Sequence, residues 1–432
     1  VISFFVLQNI VVILFFLTGI WYIYTSMKIV LATFGTRGDV QPIIALTLAL
    51  QSAGHDVLLA GPPEKASWIK EMGCKFHPLG KDVTSFIDSM ENAHSIRAAA
   101  RFIRFLRAEI DAQFDSIPNI ISGADLVIGA SLVFSLSSIA EAMGIKYRFI
   151  AFTPQLLPSS HHPFMAFKHQ GFPGWINRMG WNLAVCLDKP NLTRRINSNR
   201  RKIGLALLNS AWEHILGKDV IIASDEEIAG APPDSAISCV QTGYMHLVQP
   251  SQQSPELETF ISAGSPPVYS GFGSMPKQDQ SNIVPIIVKA VRKNGLRAVI
   301  AKFWAEPSEF SGAEDVFFIQ KYPHLDLFPR MAAVIHHGGA GTTATTARSG
   351  VPQIIVPHIL DQYYWGNQIH KSGLSSKPIW RNKLSAEKLA QAIKESVTSQ
   401  GLINNAGEVG EKLRRKDSLG MAVREIERSE SV

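Results

Sequence analysis

The run His336-His337-Gly338-Gly339-Ala340-Gly341-Thr342-Thr343 constrains the fold of this chain more than any other. It follows Ala332-Ala333-Val334-Ile335, which reads as a buried strand, and leads into Ala344-Thr345-Thr346-Ala347-Arg348, which reads as the first turns of a helix. Strand, glycine-rich turn and helix start together make an anion site of an α/β sheet. Glycines let backbone N–H groups approach a ligand, and the helix N-terminus carries partial positive charge. A histidine at the mouth adds a side-chain donor, and the combination suits a diphosphate. Adjacent histidines do not have the i, i+2 or i, i+4 spacing of metal ligands, and no Cys or His partner stands nearby in sequence, so no metal is expected.

The sequel strengthens this reading. Gly350 to Pro357 (GVPQIIVP) is a turn and another buried strand, followed by His358-Ile359-Leu360-Asp361-Gln362. Those residues fall at the carboxyl end of the strand, where open α/β sheets bind ligands. A carboxylate and an amide there suit sugar hydroxyls; Asp361 equally suits a helix N-cap.

At these residues the chain resembles nucleotide-sugar-dependent glycosyltransferases of the GT-B fold, in the branch with antibiotic-aglycone and sterol glucosyltransferases. HHGGAGTT, GVPQIIVP and DQYYWGNQ are similar to the family's donor-binding stretch. Gly35-Thr36-Arg37-Gly38-Asp39-Val40-Gln41-Pro42 is similar to its opening G-[ST]-R-G-D-V-x-P. VYSGFGSMP at 268–276, and Tyr322-Pro323-His324-Leu325 with Leu327-Phe328-Pro329-Arg330, are two further landmarks in the family's order.

A chain of 432 residues exceeds a typical single domain. Its formal charge of +6 is modest, with no basic stripe interleaved with aromatics, which argues against nucleic acid. Cys74, Cys186 and Cys239 are odd in number and widely spaced, which fits a reducing, cytoplasmic setting. Residues 1–26 are apolar and uncharged, long enough to span a bilayer. No basic residue precedes them, and the strand at Lys28 begins almost at once. They read as an upstream extension foreign to the mature protein, with a signal anchor at the cytoplasmic face as the other reading.

Alternating strands and helices imply parallel sheets covered on both faces. The first domain is expected over 27–240, with strands at Lys28–Phe34, Asp56–Ala60, Ala124–Gly129 and Tyr147–Phe152 and helices at Pro42–Ala53 and Phe134–Met143. A linker rich in Gln, Ser and Pro occupies 241–265. The second domain is expected over 266–405, with strands at Val268–Gly271, Arg297–Ala301, Val316–Ile319, Ala333–His336 and Gln353–Val356 and helices at Ser281–Lys293, Asp361–Ser372 and Ala386–Ser399. By resemblance, a final helix over 406–432 returns to the first domain. The fold class is thus two doubly wound, Rossmann-like domains facing across a cleft. The turn Gly35-Thr36-Arg37-Gly38 lacks the G-x-G-x-x-G spacing of a dehydrogenase, which makes hydride transfer unlikely.

Asp39, at the end of the first strand, is the candidate general base that deprotonates an acceptor hydroxyl; capping the next helix is its plainer role. Thr36, Arg37 and Gly38 support that turn. The resemblance implies that Asp39 is the base, that His337 binds the donor diphosphate, and that Gly339, Gly341, Thr342 and Ser274 face its phosphates. It further implies that Tyr322 lies near the nucleobase and that Asp361 and Gln362 hold the sugar. His336 is read as ending its strand, and Trp365 follows the sugar pair on the same helix. The aromatic segment with His161, His162, Phe164, Phe167 and Trp175 is the candidate acceptor pocket, although ordinary packing explains it almost as well. A helix over Ser95–Phe114 puts Arg97, Arg101, Arg104 and Arg107 on one side; it suits contact with anionic lipid, and a solvated face is the preferred reading.

The expected function is inverting, metal-independent transfer of a hexose from a UDP- or dTDP-sugar to a hydroxyl of a lipophilic acceptor such as a sterol, hopanoid, carotenoid or polyketide. No cofactor is expected. A nucleotide-sugar epimerase on the same fold and a non-catalytic nucleotide-sugar or lipid binder are the alternatives.

Overall fold

The alternating pattern resolves into two parallel sheets in a computed structural model that describes residues 4–7, 10–13, 22–82, 96–250, 254–273, 283–302, 310, 312–320 and 322–428. Ahead of them, β1 (Phe4–Leu7), β2 (Ile10–Ile13) and β3 (Tyr22–Thr25) pair antiparallel, Phe4 opposite Ile13 and Ile10 opposite Thr25. The described part of 1–26 is therefore strand where a spanning helix was one expectation. Among the described residues no helix is long and apolar enough to cross a membrane.

The first sheet contains β4 (Lys28–Phe34), β5 (Asp56–Gly61), β6 (Lys75–Pro78), β7 (Leu126–Ser131), β8 (Lys146–Ala151), β9 (Asp219–Ile222) and β10 (Ser238–Gln241). Their spatial order is β10-β9-β8-β7-β4-β5-β6, every pair parallel. The second contains β11 (Val268–Gly271), β12 (Ala298–Ala301), β13 (Val316–Ile319), β14 (Ala333–His336) and β15 (Gln353–Ile355), ordered β13-β12-β11-β14-β15 and also parallel. Both sheets are apolar on both faces, as crossover helices require. In β4, Val30, Ala32 and Phe34 join one core cluster while Ile29 and Leu31 join the other. In β14, Ala333 and Ile335 face one side and Val334 the opposite one.

The first helix runs Arg37–Ser52, five residues ahead of its expected start. A capping box sets that start: Thr36 is the N-cap and Asp39 the N3 residue. Pro42, the expected first residue, lies inside the helix. The C-terminal stretch, expected as one returning helix from 406, divides at 416–417. Helix Gln400–Arg415 stays on the second domain, packed so closely on Ala340–Ser349 that a Cβ at Gly410 would sit 2.5 Å from Gly350 Cα. Helix Ser418–Arg428 alone crosses back, burying Ala422, Val423 and Ile426 against the first sheet's core. Arg148 holds it by the Glu425 carbonyl at 2.8 Å and carboxylate at 3.2 Å. Gly243, at φ +88°, lies against Ser418, so the outgoing and returning chains touch.

Candidate active site

In each sheet the strand order reverses direction once, between β4 and β7 in the first and between β11 and β14 in the second. Loops diverge at such a point and leave a crevice at the strands' carboxyl ends. Asp39 follows β4, and Ser131 ends β7 beside it. Asp39 Oδ2 accepts the Thr36 N–H at 2.6 Å and the Thr36 hydroxyl at 3.0 Å, and Oδ1 accepts the Ser131 hydroxyl at 2.6 Å. The capping role is thus realised. Three donors occupy a carboxylate with about four acceptor sites, so capacity for a further proton donor remains. Burial raises the Asp39 pKa, opposed by the hydrogen bonds from Ser131 and Thr36. In the supporting turn, Arg37 stacks over Trp68 at 4.7 Å and reaches Gln249 Oε1 at 3.4 Å, while Gly38 is exposed.

The second sheet's turn separates its two histidines. His336 Nδ1 accepts the Gly338 N–H at 3.1 Å, which leaves Nε2–H to donate to Gln353 Oε1 at 2.8 Å. It is a structural group ending β14. His337 is different: its buried Nδ1 has no hydrogen-bond partner among the described residues. Its ring is wedged between Gly273 and Gly339, where added Cβ atoms would come within 3.1 Å and 2.5 Å of it. Burial, then the neighbouring His336, His358 and His324, push its pKa down to about 3, so at neutral pH it is an uncharged imidazole with one N–H to give. Gly339 is the N-cap of helix Ala340–Ser349 and has no side-chain cap, so no side-chain cap covers the helix's first N–H groups. Gly341 and Thr342 sit in that first turn, and Tyr244 Oη packs where a Gly341 Cβ would be, 2.6 Å away. Buried Thr343 Oγ1 also has no hydrogen-bond partner among the described residues.

Asp361 precedes helix Gln362–Lys371 as its N-cap residue but makes no side-chain capping bond. Its carboxylate is not spent on capping. Burial, then the charge of Asp39, push its pKa up to about 7. The two carboxylates, one from each domain, therefore lie within electrostatic reach across the domain boundary. Tyr244, pushed up by burial and then by Asp39 and Asp225, and His324, lowered to about 4 by burial and then by Arg37, share that boundary. Gln362 is committed differently: its Oε1 accepts the N–H groups of His358 at 2.8 Å and Ile359 at 3.1 Å, closing its own loop. Trp365 Nε1, one turn on, is buried and leans toward Asp361, opposing the rise in its pKa.

Among the described residues, two non-glycine residues adopt positive φ: Ser131 at 56° and Leu360 at 47°. Each adjoins one of these carboxylates. Left-handed backbone in such residues is strained, and strain concentrates at functional sites. Ser131, Tyr244 and His324 were not singled out as site residues in the sequence. Only His324 had a signal, in its PH-x-x-LFPR setting.

Tyr322 packs partly buried against the cluster of Leu257, Tyr269 and Leu327. Ser274 lies outside the described residues. In the aromatic segment the structure separates the candidates. His162 is buried, its ring edge-on to Trp181 and to Tyr364 of the second domain at centroid distances of 6.0 and 5.6 Å. Phe164 stacks edge-on with Trp181 at 5.1 Å. His161, Phe167 and Trp175 are exposed, so they do not share one pocket wall with His162 and Phe164.

Two Rossmann-like domains meeting at their switch points define a GT-B glycosyltransferase fold. Solved structures agree: Spinosyn Forosaminyltransferase SpnP aligns at a TM-score of 0.72 over 94% of this chain and 100% of that one, at 16% identity. Glycosyltransferase VinC in complex with dTDP aligns at 0.67 over 93% and 99%, at 18% identity. Residues 29–159 match the glycosyltransferase family 28 N-terminal domain, and residues 307–418 match the erythromycin biosynthesis protein CIII-like C-terminal domain. Glycosyltransferase GtfE of Amycolatopsis orientalis is 32% identical over 81% of this chain and 85% of its own length. Vancomycin aglycone glucosyltransferase of the same organism is 32% identical over the same shares. Sterol 3-beta-glucosyltransferase UGT80B1 of Arabidopsis thaliana is 30% identical over 92% of this chain and 67% of its own length. The chain belongs to this family of GT-B glycosyltransferases. It is a glycosyltransferase that takes its sugar from a nucleotide donor.

Proposed function

We propose that the protein transfers a hexose, with inversion and without a metal ion, from UDP- or dTDP-sugar to a hydroxyl of a lipophilic acceptor. The observation that carries this reading is the meeting of the two domains at this turn: Tyr244 of the first packs on Gly341, in the first turn of the uncapped helix that follows His337, and the charge of Asp39 acts on Asp361. The acceptor oxygen attacks the anomeric carbon from the face opposite the diphosphate and gives its proton to Asp39. The bond from anomeric carbon to diphosphate oxygen breaks, and the electron pair leaves with the diphosphate. That growing charge is met by the His337 N–H and the first N–H groups of helix Ala340–Ser349, donors in place before the reaction starts. Asp361 holds a sugar hydroxyl. The acceptor class is supported by the aromatic cluster of His162, Phe164 and Trp181 beside Tyr364, and by relatives named for sterol and antibiotic-aglycone transfer.

The test is mass spectrometry of products from the purified protein offered a panel of nucleotide sugars and lipophilic alcohols, with NMR of the new anomeric centre. A product of retained configuration overturns the inverting step. Activity that is lost in chelator and restored by a divalent cation overturns metal independence. His337→Ala is expected to weaken nucleoside diphosphate binding by about tenfold to a hundredfold, the worth of one hydrogen bond to a charged group. Calorimetry showing unchanged affinity would remove His337 from the diphosphate site.

A further inference from the structure

We infer that helix Gly174–Asp188 is a docking face for an anionic lipid surface. One side of this helix is fastened to the protein. Buried Asn177 donates to the Ser160 carbonyl at 2.8 Å, and buried Trp181 donates to the His162 carbonyl at 3.2 Å. Another side carries Trp175, Met179, Leu183 and Leu187, four residues apart each time and exposed by 66, 61, 55 and 60%. At 3.6 residues per turn these four form one continuous stripe, and the exposed Cys186 falls on the same side. Scattered exposed apolar residues need no explanation, but a contiguous stripe on one helix marks an interaction surface.

The surrounding charge selects the occupant. Between Ala151 and Trp212 the chain carries eight lysines and arginines and one acidic residue, Asp188. Arg200 is buried against Glu141, and Arg178 and Arg195 pair with Asp234 and Asp111; Lys168, Lys189, Arg194, Arg201 and Lys202 are exposed. The far end of the stripe meets helix Ile96–Ile120: Arg107 donates to Asn191 Oδ1 at 2.8 Å, and Asn191 Nδ2 in turn holds the Leu187 carbonyl at 2.8 Å. This brings the exposed Arg107 near the Leu187 end of the stripe, with the exposed Arg104 and Ile103 about one turn earlier on the same helix. An apolar stripe within a cationic surround is the pattern of an interfacial helix on anionic lipid. A second copy of the chain fits less well, because a symmetric contact would press the same cationic rim against itself. The helix's buried face supports the His162 and Phe164 cluster, so docking would set that aromatic mouth against the layer in which a lipophilic acceptor dissolves. The inference deepens the lipophilic-acceptor reading, yet its test reads lipid binding with neither donor nor turnover.

The experiment is flotation of the full chain with vesicles of phosphatidylcholine mixed with phosphatidylglycerol, against vesicles of phosphatidylcholine alone. Binding is expected to the mixed vesicles and to fall as salt rises. A polarity-sensitive dye on Cys186 is expected to shift to the blue on binding. The double variant Met179→Ser with Leu183→Ser is expected to lose about tenfold or more in vesicle affinity, while keeping wild-type turnover on a water-soluble acceptor. Lys189→Glu with Arg104→Glu is expected to lose the preference for phosphatidylglycerol. Three results overturn the proposal: no wild-type binding to the mixed vesicles, undiminished binding by the Met179 and Leu183 variant, or a light-scattering dimer that this variant abolishes.

Discussion

Asp39→Asn is expected to lower kcat by about a hundredfold to ten-thousandfold, the usual contribution of a general base, and to leave nucleotide binding within about twofold. The substitution separates the two roles that Asp39 combines. Asparagine can still accept the Thr36 N–H through Oδ1, and its Nδ2 can face Ser131 once that hydroxyl turns to accept. The capping box at the start of helix Arg37–Ser52 is thereby largely retained, and the loss of stability is expected to be about 1 kcal/mol. The proton acceptor is gone. Equal loss of turnover and thermal stability would reduce Asp39 to a cap; lost donor affinity would do the same. Ser131→Ala supplies an independent reading. The Ser131 hydroxyl lowers the Asp39 pKa, so its removal is expected to raise it and move the acid limb of the kcat/KM profile to higher pH. A profile that does not move argues against Asp39 as the titrating group.

Asp361→Asn is expected to act in opposite directions on stability and activity. The folded pKa of Asp361 is about 7, raised by burial and by Asp39, against about 3.9 in an unfolded chain. The folded state holds this proton more tightly, so the group costs no stability below the unfolded value. The cost grows as pH rises toward 7 and is complete above it, on the order of 4 kcal/mol at most. The variant is therefore expected to melt several degrees higher than wild type at pH 8 and at nearly the same temperature at pH 4. Transfer is expected to fall by about a hundredfold as the acceptor for the sugar hydroxyl is weakened, while affinity for the sugar-free nucleoside diphosphate is unchanged. A variant without stabilisation at pH 8, or with full activity, would show that Asp361 is neither buried against Asp39 nor bound to sugar.

Much of this architecture could be read from hydrophobic runs of the right length. Val268–Gly271, Val316–Ile319 and Ala333–His336 stand where four-residue apolar segments bounded by turn residues put them. Three strands of the first sheet have no counterpart in that pattern. Lys75–Pro78 and Ser238–Gln241 lie at its two edges and are only half-buried or exposed, so they carry no apolar run; Asp219–Ile222 is interior and buried, and its run Val220-Ile221-Ile222 is short. The helix expected from Pro42 begins five residues earlier, at Arg37. The Thr36 and Asp39 capping box, also present in the sequence, decided the boundary instead. At the site, a motif could nominate His337 and Asp361 because each sits where a strand hands over to a helix. It could not reveal that Gln362 spends its amide oxygen on its own loop, or that Ser131, ninety-two residues from Asp39, closes on the same carboxylate. Those are facts of tertiary contact, and no local spacing encodes them.

The placement of Gly243 against Ser418 has a mechanical consequence. The polypeptide passes between the lobes twice, and both passages run through one spot, like a door whose two pins share a single bracket. Rotation about that spot needs dihedral change in only a few residues, and would part the rim where His162 meets Tyr364. An opening of this kind leaves the cores beneath the two sheets intact and strains the seam where Ile228 and Ala229 of the first domain pack with Ala347, Tyr364 and Leu413 of the second.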